Sequence, residues 1–336
     1  MPDFFDTTAN LSVLEHVPPG TDPIAYIRAA APLPLHAEEL IDRGVTEVAL
    51  ERLNVVRWMQ SNGLTTPLPD WLGHVNIKWQ KRTRGGGNPQ FGMLPDITVR
   101  REDWKPSLEY DQLPVYIITE HFTIHPRLFA EWQLAVSRGQ VDAPLDVTMV
   151  NDATRRMNEA VELATIEGPP IQVNGVTVPG LLDAPNTYEY TGNESWLLKD
   201  GPEIYTEVKK MMQKSRDKRH FGPWALVISS DVGDHLDDDY VTTMANTKTI
   251  RSRLMEIEGL EEIVTADMMP TDSAVLVEKS KTNLDLLVGL QPTVLSWLEG
   301  PPMIAIRRYI MIACVILRMR EDAEGQGGIV VGRTGA

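Results

Sequence analysis

The feature that most constrains this chain is the stretch 113–168, in which the spacing of apolar residues changes. Between residues 115 and 122 the pattern has a period of two, and β-branched and aromatic side chains dominate, which predicts a strand. Pro126 then stands where proline is common in the first turn of a helix, and Gly139 stands where such a helix ends. The apolar stripe of this short helix consists of Leu128, Phe129, Trp132 and Val136.

A longer helix is predicted over residues 144–167. Its apolar residues recur at steps of three and four, and Gly168 followed by two prolines ends the pattern. A helix of roughly twenty residues is about 30 Å long. We therefore expect this strand and these two helices to form a scaffold for the rest of the chain.

The segments before the scaffold differ in character. Residues 1–36 contain six prolines and little helical periodicity, so we expect an extended arm that becomes ordered by lying on another surface. Residues 37–73 carry apolar residues near helical steps and predict one or two helices.

A basic β-hairpin with a long tip is predicted between residues 74 and 104. Strand 75–79 is expected to pair with strand 97–101. Residues 74–101 contain six basic residues and one acidic residue, giving a local charge of +5 in a chain of net charge −15: Lys78, Lys81, Arg82, Arg84, Arg100 and Arg101 against Asp96. Because an isolated hairpin is marginally stable in water, we expect this one to contact a neighbouring, acidic copy of the chain.

A second mixed unit follows the long helix. We predict a weakly β segment, a helix at 202–218, a strand at 224–229, a helix at 247–258 and strands at 260–265 and 274–278. The chain then turns to β-structure at 285–289, 293–298 and 303–319, before a C-terminal tail at 321–336. The predicted fold class is α+β.

Composition limits the remaining classes. A chain of 336 residues with 42% hydrophobic content can form about two domains with sizeable cores. Cys314 is the single cysteine and lies in an apolar run, which predicts a buried free thiol. Asp3 and Asp6 stand where a signal peptide would be basic, and no membrane span is predicted. We expect a soluble, cytoplasmic protein.

Two clusters raise the question of metal binding. His121 and His125 lie four residues apart and could bind a metal, or could simply flank a strand-to-helix turn. Five aspartates between residues 231 and 239 could bind a hard cation, or could form a solvated acidic loop. They are Asp231, Asp234, Asp237, Asp238 and Asp239.

Other chemistry has weak support. The RGGGN segment at 84–88 lacks the lysine and hydroxyl residue of a P-loop and is expected to be a flexible tip. The basic hairpin could instead bind nucleic acid, with Trp79 and Phe91 stacking on bases. No serine occupies a nucleophile elbow. The sequence therefore predicts no catalytic residue, no cofactor and no resident metal, and the chain is not expected to be an enzyme.

The order of these elements resembles the Hong Kong 97-type shell fold, shared by major capsid proteins of tailed bacteriophages and by encapsulins. The stretch from VYIITEHFTIHPRLF to VDAPLDVTMVNDATRRMNEAVELATIEG is similar to the strand, short helix and spine helix of those families. VPGLLDAP at 178–185 resembles their turn after the spine helix. GPWALVISSDVGDHL at 222–236 resembles the strand and helix that open their axial domain.

The resemblance covers roughly residues 37–320 and implies a domain order. It implies an N-terminal arm at 1–36, a helical segment at 37–73 and an extended hairpin loop at 74–112. A peripheral domain at 113–175 and 282–320 would contain the spine helix at 144–167. An axial domain at 176–281 and a C-terminal tail at 321–336 would complete the subunit.

The same resemblance implies a function. The chain is expected to be a major capsid protein that assembles into hexamers and pentamers of an icosahedral head enclosing double-stranded DNA, within the virion and after assembly in the bacterial cytoplasm. Expected partners are other copies of itself, portal, scaffolding and decoration proteins, and DNA bound without sequence specificity. The alternatives are an encapsulin shell around a cargo enzyme and, more remotely, a metal-dependent enzyme using residues 231–239.

Two sets of residues are expected to serve assembly. The hairpin residues should contact an adjacent subunit: Lys78, Trp79, Lys81, Arg82, Arg84, Arg100 and Arg101. The charged residues of the spine helix should face a neighbour, the lumen or water: Arg155, Arg156, Glu159 and Glu162.

Overall fold

The structure is a computed structural model that describes residues 54–73, 75–80, 91–93, 99–101, 110–137, 145–173, 176–240, 248–299, 306–320 and 327–334. The arm expected at 1–36 lies outside the described residues, as does the helical segment up to residue 53. Lys81, Arg82 and Arg84 of the predicted hairpin also lie outside them.

Helices and strands are mixed along the described part of the chain, which confirms the predicted α+β class. The helices are α1 Asn54–Ser61, α2 Pro126–Ser137, α3 Leu145–Ile166, α4 Gly201–Asp217, α5 Ser230–Leu236 and α6 Ile250–Leu254. The strands are β1 Thr65–Pro67, β2 Asn76–Gln80, β3 Phe91–Met93, β4 Val99–Arg101, β5 Tyr110–Pro114, β6 Ile118–Ile124, β7 Gln172–Val173, β8 Val176–Thr177, β9 Thr187–Glu189, β10 Trp224–Ser229, β11 Leu260–Ala266, β12 Ala274–Glu278, β13 Leu284–Glu299, β14 Ile306–Met319 and β15 Ile329–Arg333.

The long helix predicted at 144–167 is α3, whose bounds differ from the prediction by one residue at each end. Its buried side recurs at steps of three and four, as an amphipathic helix requires. Gly168 follows it with a positive φ of 79°, a conformation that glycine adopts without a steric penalty.

The chain divides into two compact units, and the described residues of the first come from Ile117–Asn158 and Leu290–Ala313. Strand β6 pairs antiparallel with β14, with Ile124 opposite Arg307 and Ile118 opposite Ala313. Side chains of β6 alternate between half-buried and exposed until Ile124, which is fully buried. Phe122 stacks on Tyr309 directly across the two strands, with ring centroids 4.7 Å apart, which stabilises this register.

The prediction of one continuous strand at 115–122 is wrong. Strand β5 ends at Pro114 and β6 begins at Ile118, and the two strands belong to different sheets. Proline has no N–H group to donate to a ladder, so a break after β5 is favoured at Pro114. Residues 115–117 therefore lie between the two strands, and only residues 118–122 of the predicted strand belong to β6.

The predicted pairing inside the hairpin is also wrong. Strand β2 pairs with β5, so that Lys78 lies opposite Gln112, and β3 pairs with β4, so that Gly92 lies opposite Arg100. Closing the five-residue connection between β3 and β4 loses less chain entropy than pairing 97–101 with the more distant 75–79. The extended loop is thus a two-stranded base followed by a separate two-stranded segment.

The second unit is formed by three segments of the chain: Leu53–Tyr116, Glu159–Gly289 and Cys314–Ala336. Its main sheet has the strand order β11-β10-β12-β15-β9. Strand β10 is parallel to β11 and antiparallel to β12, and β15 is antiparallel to β12 and parallel to β9. In the same unit β1 runs parallel to β13, with Thr66 opposite Leu287.

The C-terminal tail predicted at 321–336 contains a strand. Ile329, Val330 and Val331 are buried in β15, which fills the sheet between β12 and β9. Gly332 is required there because a Cβ atom at this position would lie 2.7 Å from the Tyr190 ring. The glycines around this strand were interpreted as tail composition, whereas Gly332 provides the close approach of an aromatic ring.

One core cluster joins the helices of the second unit to the sheet. Trp224, Leu226 and Ile228 alternate along β10 toward α4, whose Met211 and Met212 are buried in the same cluster. Helix α6 is shorter than the predicted 247–258. It begins after Thr249, whose side chain caps its first turn, and it ends before Gly259, whose positive φ leads the chain into β11.

The predicted break between strands 285–289 and 293–298 does not occur, because both segments belong to β13. The first predicted strand ended at Gly289, which lies inside β13. In the structure a Cβ atom there would lie 2.7 Å from Trp71 and 3.1 Å from the Cys314 sulfur. This glycine permits close packing within a continuous strand.

Candidate assembly surfaces

A buried ion pair lies at the base of the extended loop. The Asp285 carboxylate on β13 is fully buried and accepts hydrogen bonds from Arg318 Nε at 2.8 Å and from the Thr66 hydroxyl at 2.7 Å. A second guanidinium nitrogen of Arg318 also contacts this carboxylate, and Arg320 donates to it at 3.3 Å. Charge-assisted, bidentate bonds of this kind are strong and fix side-chain geometry.

The same arginine connects the ion pair to the extended loop. The Arg318 guanidinium lies 5.6 Å from the ring centroid of Trp79, which belongs to β2. Trp79 was predicted to contact an adjacent subunit, and the structure places its half-buried ring on an arginine of its own chain. Lys78, the preceding residue, is exposed.

The remaining hairpin residues are distributed along the loop. Arg100 and Arg101 lie on β4, opposite Gly92 and Phe91 of β3. Their contacts with an adjacent subunit stay a prediction.

The charged residues of the spine helix α3 have three different environments. Arg155 and Arg156 are exposed, and Arg156 forms an ion pair with Glu120 of β6 at 3.3 Å. Glu159 is half-buried. Such exposed pairs contribute little to stability, about 0–1 kcal/mol, so these residues remain available for contacts with other molecules.

The expectation that Glu162 faces a neighbour, the lumen or water is wrong. Its side chain is buried, and its carboxylate accepts hydrogen bonds from the backbone N–H groups of Val55 at 2.7 Å and Val56 at 3.3 Å. These donors lie in the first turn of α1, where a negative charge compensates unpaired N–H groups and the helix dipole. Burial raises the pKa of Glu162, and the two backbone hydrogen bonds oppose that rise.

Neither candidate metal cluster is assembled within the described residues, where no group of three or more histidine, cysteine, aspartate or glutamate side chains could hold a metal ion. Asp237 pairs with Arg251 at 2.6 Å, and Asp238 pairs with His235 at 3.0 Å. The Asp231 carboxylate accepts the backbone N–H of Asp272 at 3.0 Å. These carboxylates bind separate partners and do not converge on one point.

The histidine pair has no shared site either. His121 and His125 are both exposed, the first on β6 and the second after its end. Partial burial lowers the pKa of His121, and nearby Arg308 lowers it further while Glu120 raises it. A lowered pKa favours the neutral imidazole at physiological pH.

Cys314 is buried on β14, as its apolar context predicted. Burial raises the pKa of its thiol to about 11, so the thiol is protonated at neutral pH and is a poor nucleophile. In the part of the chain that the structure describes, no helix is long and apolar enough to cross a membrane.

Sequence reasoning missed Asp285 and Arg318. A signal was present, because each charge adjoins an apolar run: LLVGL follows Asp285, and YIMIACVIL precedes Arg318. Single charges beside buried strands are rarely left unpaired. The sequence could not show that two charges 33 residues apart would meet.

Comparison with known proteins places the chain in a family. The model of a family described as "Family of unknown function (DUF6260)" matches residues 105–330, which is more than half of the chain. The chain belongs to this family. No curated protein sequence matches the chain.

Known structures share the fold over most of the length of this chain. The virus-like particle from Pyrococcus furiosus is 13% identical with a TM-score of 0.57, and the match covers 89% of this chain and 100% of that chain. The capsid of Myoviridae phage XM1 is 11% identical with a TM-score of 0.60, covering 83% and 92%. A chain of Mycobacterium phage Adephagia is 10% identical with a TM-score of 0.56, covering 82% and 89%. The predicted Hong Kong 97-type shell fold is confirmed.

Proposed function

We propose that this family member is the major capsid protein of a tailed bacteriophage or prophage, which assembles into an icosahedral shell around double-stranded DNA. The observation that carries the proposal is the shell fold itself, which extends over most of this chain and nearly all of the phage XM1 capsid chain. The proposed location is the virion, after assembly in the host cytoplasm.

The construction of the extended loop supports assembly. Its two-stranded base is attached to the subunit by the contact between Trp79 and Arg318, and Lys78 is exposed on the same strand. A two-stranded segment is marginally stable alone, so the far end of the loop requires a surface on another molecule. A closed shell repeats such modest contacts many times, and their sum is strong.

Net charge supports a lumen that does not bind DNA tightly. The chain carries −15, so general attraction to phosphate groups is weak. In this proposal DNA is enclosed without sequence-specific binding, and the other partners are portal, scaffolding and decoration proteins.

The proposed domain division follows the shell fold. Residues 113–175 and 282–320 would form the peripheral domain, with α3 as the spine helix, and residues 176–281 the axial domain. Strand β15 completes the sheet of β10 and β12 and therefore belongs with the axial domain in this proposal.

A second candidate is a shell that encloses a cargo enzyme. It is favoured by the likeness to the virus-like particle from Pyrococcus furiosus, all of whose chain is covered. Purified particles separate the two candidates: nuclease-protected DNA of uniform length supports the phage capsid, and a protein cargo without DNA supports the alternative.

Deletion of residues 83–95 tests the extended loop. We expect the variant to retain the circular dichroism spectrum and melting temperature of the folded subunit, because the base strands β2 and β5 remain. We expect it to form no closed particles by electron microscopy. Particles of normal size and yield would contradict the proposed function of the loop.

A further inference from the structure

Helix α4 has opposite charges toward its two ends. The N-terminal end of α4, called the acidic end, carries four exposed carboxylates. Asp200 precedes α4, Glu203 lies in its first turn, Asp234 lies on α5, and Asp239 follows α5. The C-terminal half carries three exposed cations and one exposed carboxylate: Lys209, Lys210 and Arg216 against Asp217. At 1.5 Å per residue, Arg216 lies about 20 Å along the helix from Glu203, and Lys209 lies about 9 Å from it.

The acidic end is one continuous surface with an exposed apolar side chain. The His235 ring on α5 contacts the Lys199 carbonyl oxygen at 3.0 Å through Nε2 and the Asp238 carboxylate at 3.0 Å through Nδ1. These contacts join the end of α5 to the segment before α4. Leu198 in that segment is 80% exposed.

A basic groove of about 530 Å³ runs along α4 from Tyr205 to Arg216, and three cations in its lining outnumber two carboxylates: Lys209, Lys210 and Arg216 against Glu256 and Glu258. The Arg216 guanidinium lies 5.1 Å from the Trp224 ring centroid, and Lys209 lies 4.6 Å from the Tyr205 ring centroid. These cation–π contacts hold the positive groups in place.

An exposed aromatic side chain stands beside the basic groove. Phe221 is 71% exposed, and the next residue, Gly222, packs against Trp224, the ring that also carries Arg216. Exposed large apolar side chains beside charged rims are typical of protein interfaces. The acidic end therefore combines the exposed Leu198 with carboxylates, and the groove combines a net positive charge with the nearby exposed Phe221.

We infer that the acidic end of one subunit docks into the basic groove of the next, with Leu198 and Phe221 in its apolar centre. The inference rests on the proposed shell function, because it assigns a contact between copies within a capsomer. Two different surfaces of one chain that fit each other make a head-to-tail contact, and such contacts close into rings. Charge complementarity fixes the partner and its orientation.

A second copy fits the groove better than nucleic acid does. Glu256 and Glu258 also line it, and Glu256 is paired with Lys248 and Arg253. A phosphate backbone could use the cations of the groove but would gain nothing from the exposed Phe221 side chain. An acidic protein segment carrying a leucine uses both features.

Charge reversal at each end, alone and combined, tests the contact. One variant carries Lys209→Glu and Arg216→Glu, a second carries Asp234→Lys and Asp239→Lys, and a third carries all four changes. We expect each double variant to raise the subunit concentration needed for assembly by about tenfold or more, and the combined variant to recover most of that loss. Sedimentation velocity and electron microscopy measure assembly, and circular dichroism checks folding.

Control variants show whether an effect on assembly is specific to this contact. Lys281→Glu changes an exposed lysine in the turn between β12 and β13 and should leave assembly unchanged. If a charge variant fails to fold, Leu198→Ser and Phe221→Ser test the same contact without a charge change, and both should weaken assembly.

Several results would overturn the inference while leaving the proposed function intact. In a background where the wild-type chain forms particles, normal assembly of both double variants excludes the contact. A combined variant no better than the two double variants also excludes it, because the two ends then have different partners. Normal assembly with lost binding of a double-stranded DNA oligonucleotide to the Lys209→Glu, Arg216→Glu variant would instead assign the groove to nucleic acid. Absence of particles from the wild-type chain would contradict the proposed function.

Discussion

Substitution of Asp285 by asparagine removes the negative charge on which the base of the extended loop depends. Asp285 is fully buried, and the Arg318 side chain that it binds is only 10% exposed. Asparagine has nearly the same shape, so the change removes charge without creating a cavity. The Arg318 guanidinium would then be buried without its counter-ion, beneath Trp79.

The expected loss is large for one substitution. Removing one partner of a buried ion pair destabilises a protein by about 3–5 kcal/mol, because an uncompensated charge stays buried. Arg320 adds little to this loss, since its side chain is 26% exposed and its bond to Asp285 is longer, at 3.3 Å. We therefore expect a loss of about 3 kcal/mol, measured by urea unfolding of dissociated subunits with tryptophan fluorescence.

The double variant and a control complete the experiment. Arg318→Met combined with Asp285→Asn should be less destabilising than the sum of the single changes, because the stranded charge is gone. Asp152→Asn, an exposed position on α3, should change the free energy of unfolding by about 0.5 kcal/mol or less. A loss below about 1 kcal/mol for Asp285→Asn, or additive single and double effects, would refute the importance of this ion pair.

Two further predictions concern buried titratable groups. Burial raises the pKa of Glu162 above its ordinary value of 4.5, so the folded chain keeps this proton to a higher pH than the unfolded chain does. The free energy of unfolding therefore falls as the pH rises through the folded-state pKa. In urea unfolding, the Glu162→Gln variant should become increasingly more stable than the wild type from pH 4 to pH 7. A constant difference would contradict this. Cys314, with a pKa of about 11, should react with a thiol reagent at pH 8 only after unfolding, and rapid labelling of the folded chain would contradict its burial.

The sequence predicted local structure well where the signal is long and has clear ends. Helix α3 was placed within one residue at each end, because a regular apolar repeat stops at a glycine followed by two prolines. Strands β10, β11 and β12 were predicted for a similar reason, since short runs of β-branched residues are bounded by turns.

Strand partners could not be predicted in the same way, because pairing depends on segments distant in sequence. The alternation at 75–79 fits any antiparallel partner, and the structure supplies β5 where the nearer 97–101 was expected. Strand β15 was missed because a short segment with Gly328 before it and Gly332 within it resembles a tail until a sheet with an open position is available.

Charged residues were the hardest to place from sequence. Arg156 and Glu162 share the polar character of the spine helix, yet one is exposed and the other accepts hydrogen bonds from α1. The difference depends on which element packs on each side of the helix, and that is tertiary information. The two charged ends of α4 also needed the fold, because α5 brings Asp234 and Asp239 to the start of α4.

The size of the purified protein in solution tests the central claim most directly. Sedimentation velocity and negative-stain electron microscopy of the full chain should show closed particles of uniform diameter, built from many copies of the 37.6 kDa subunit. A chain that stays a 37.6 kDa monomer at every protein and salt concentration tested would contradict the proposal that it forms a shell.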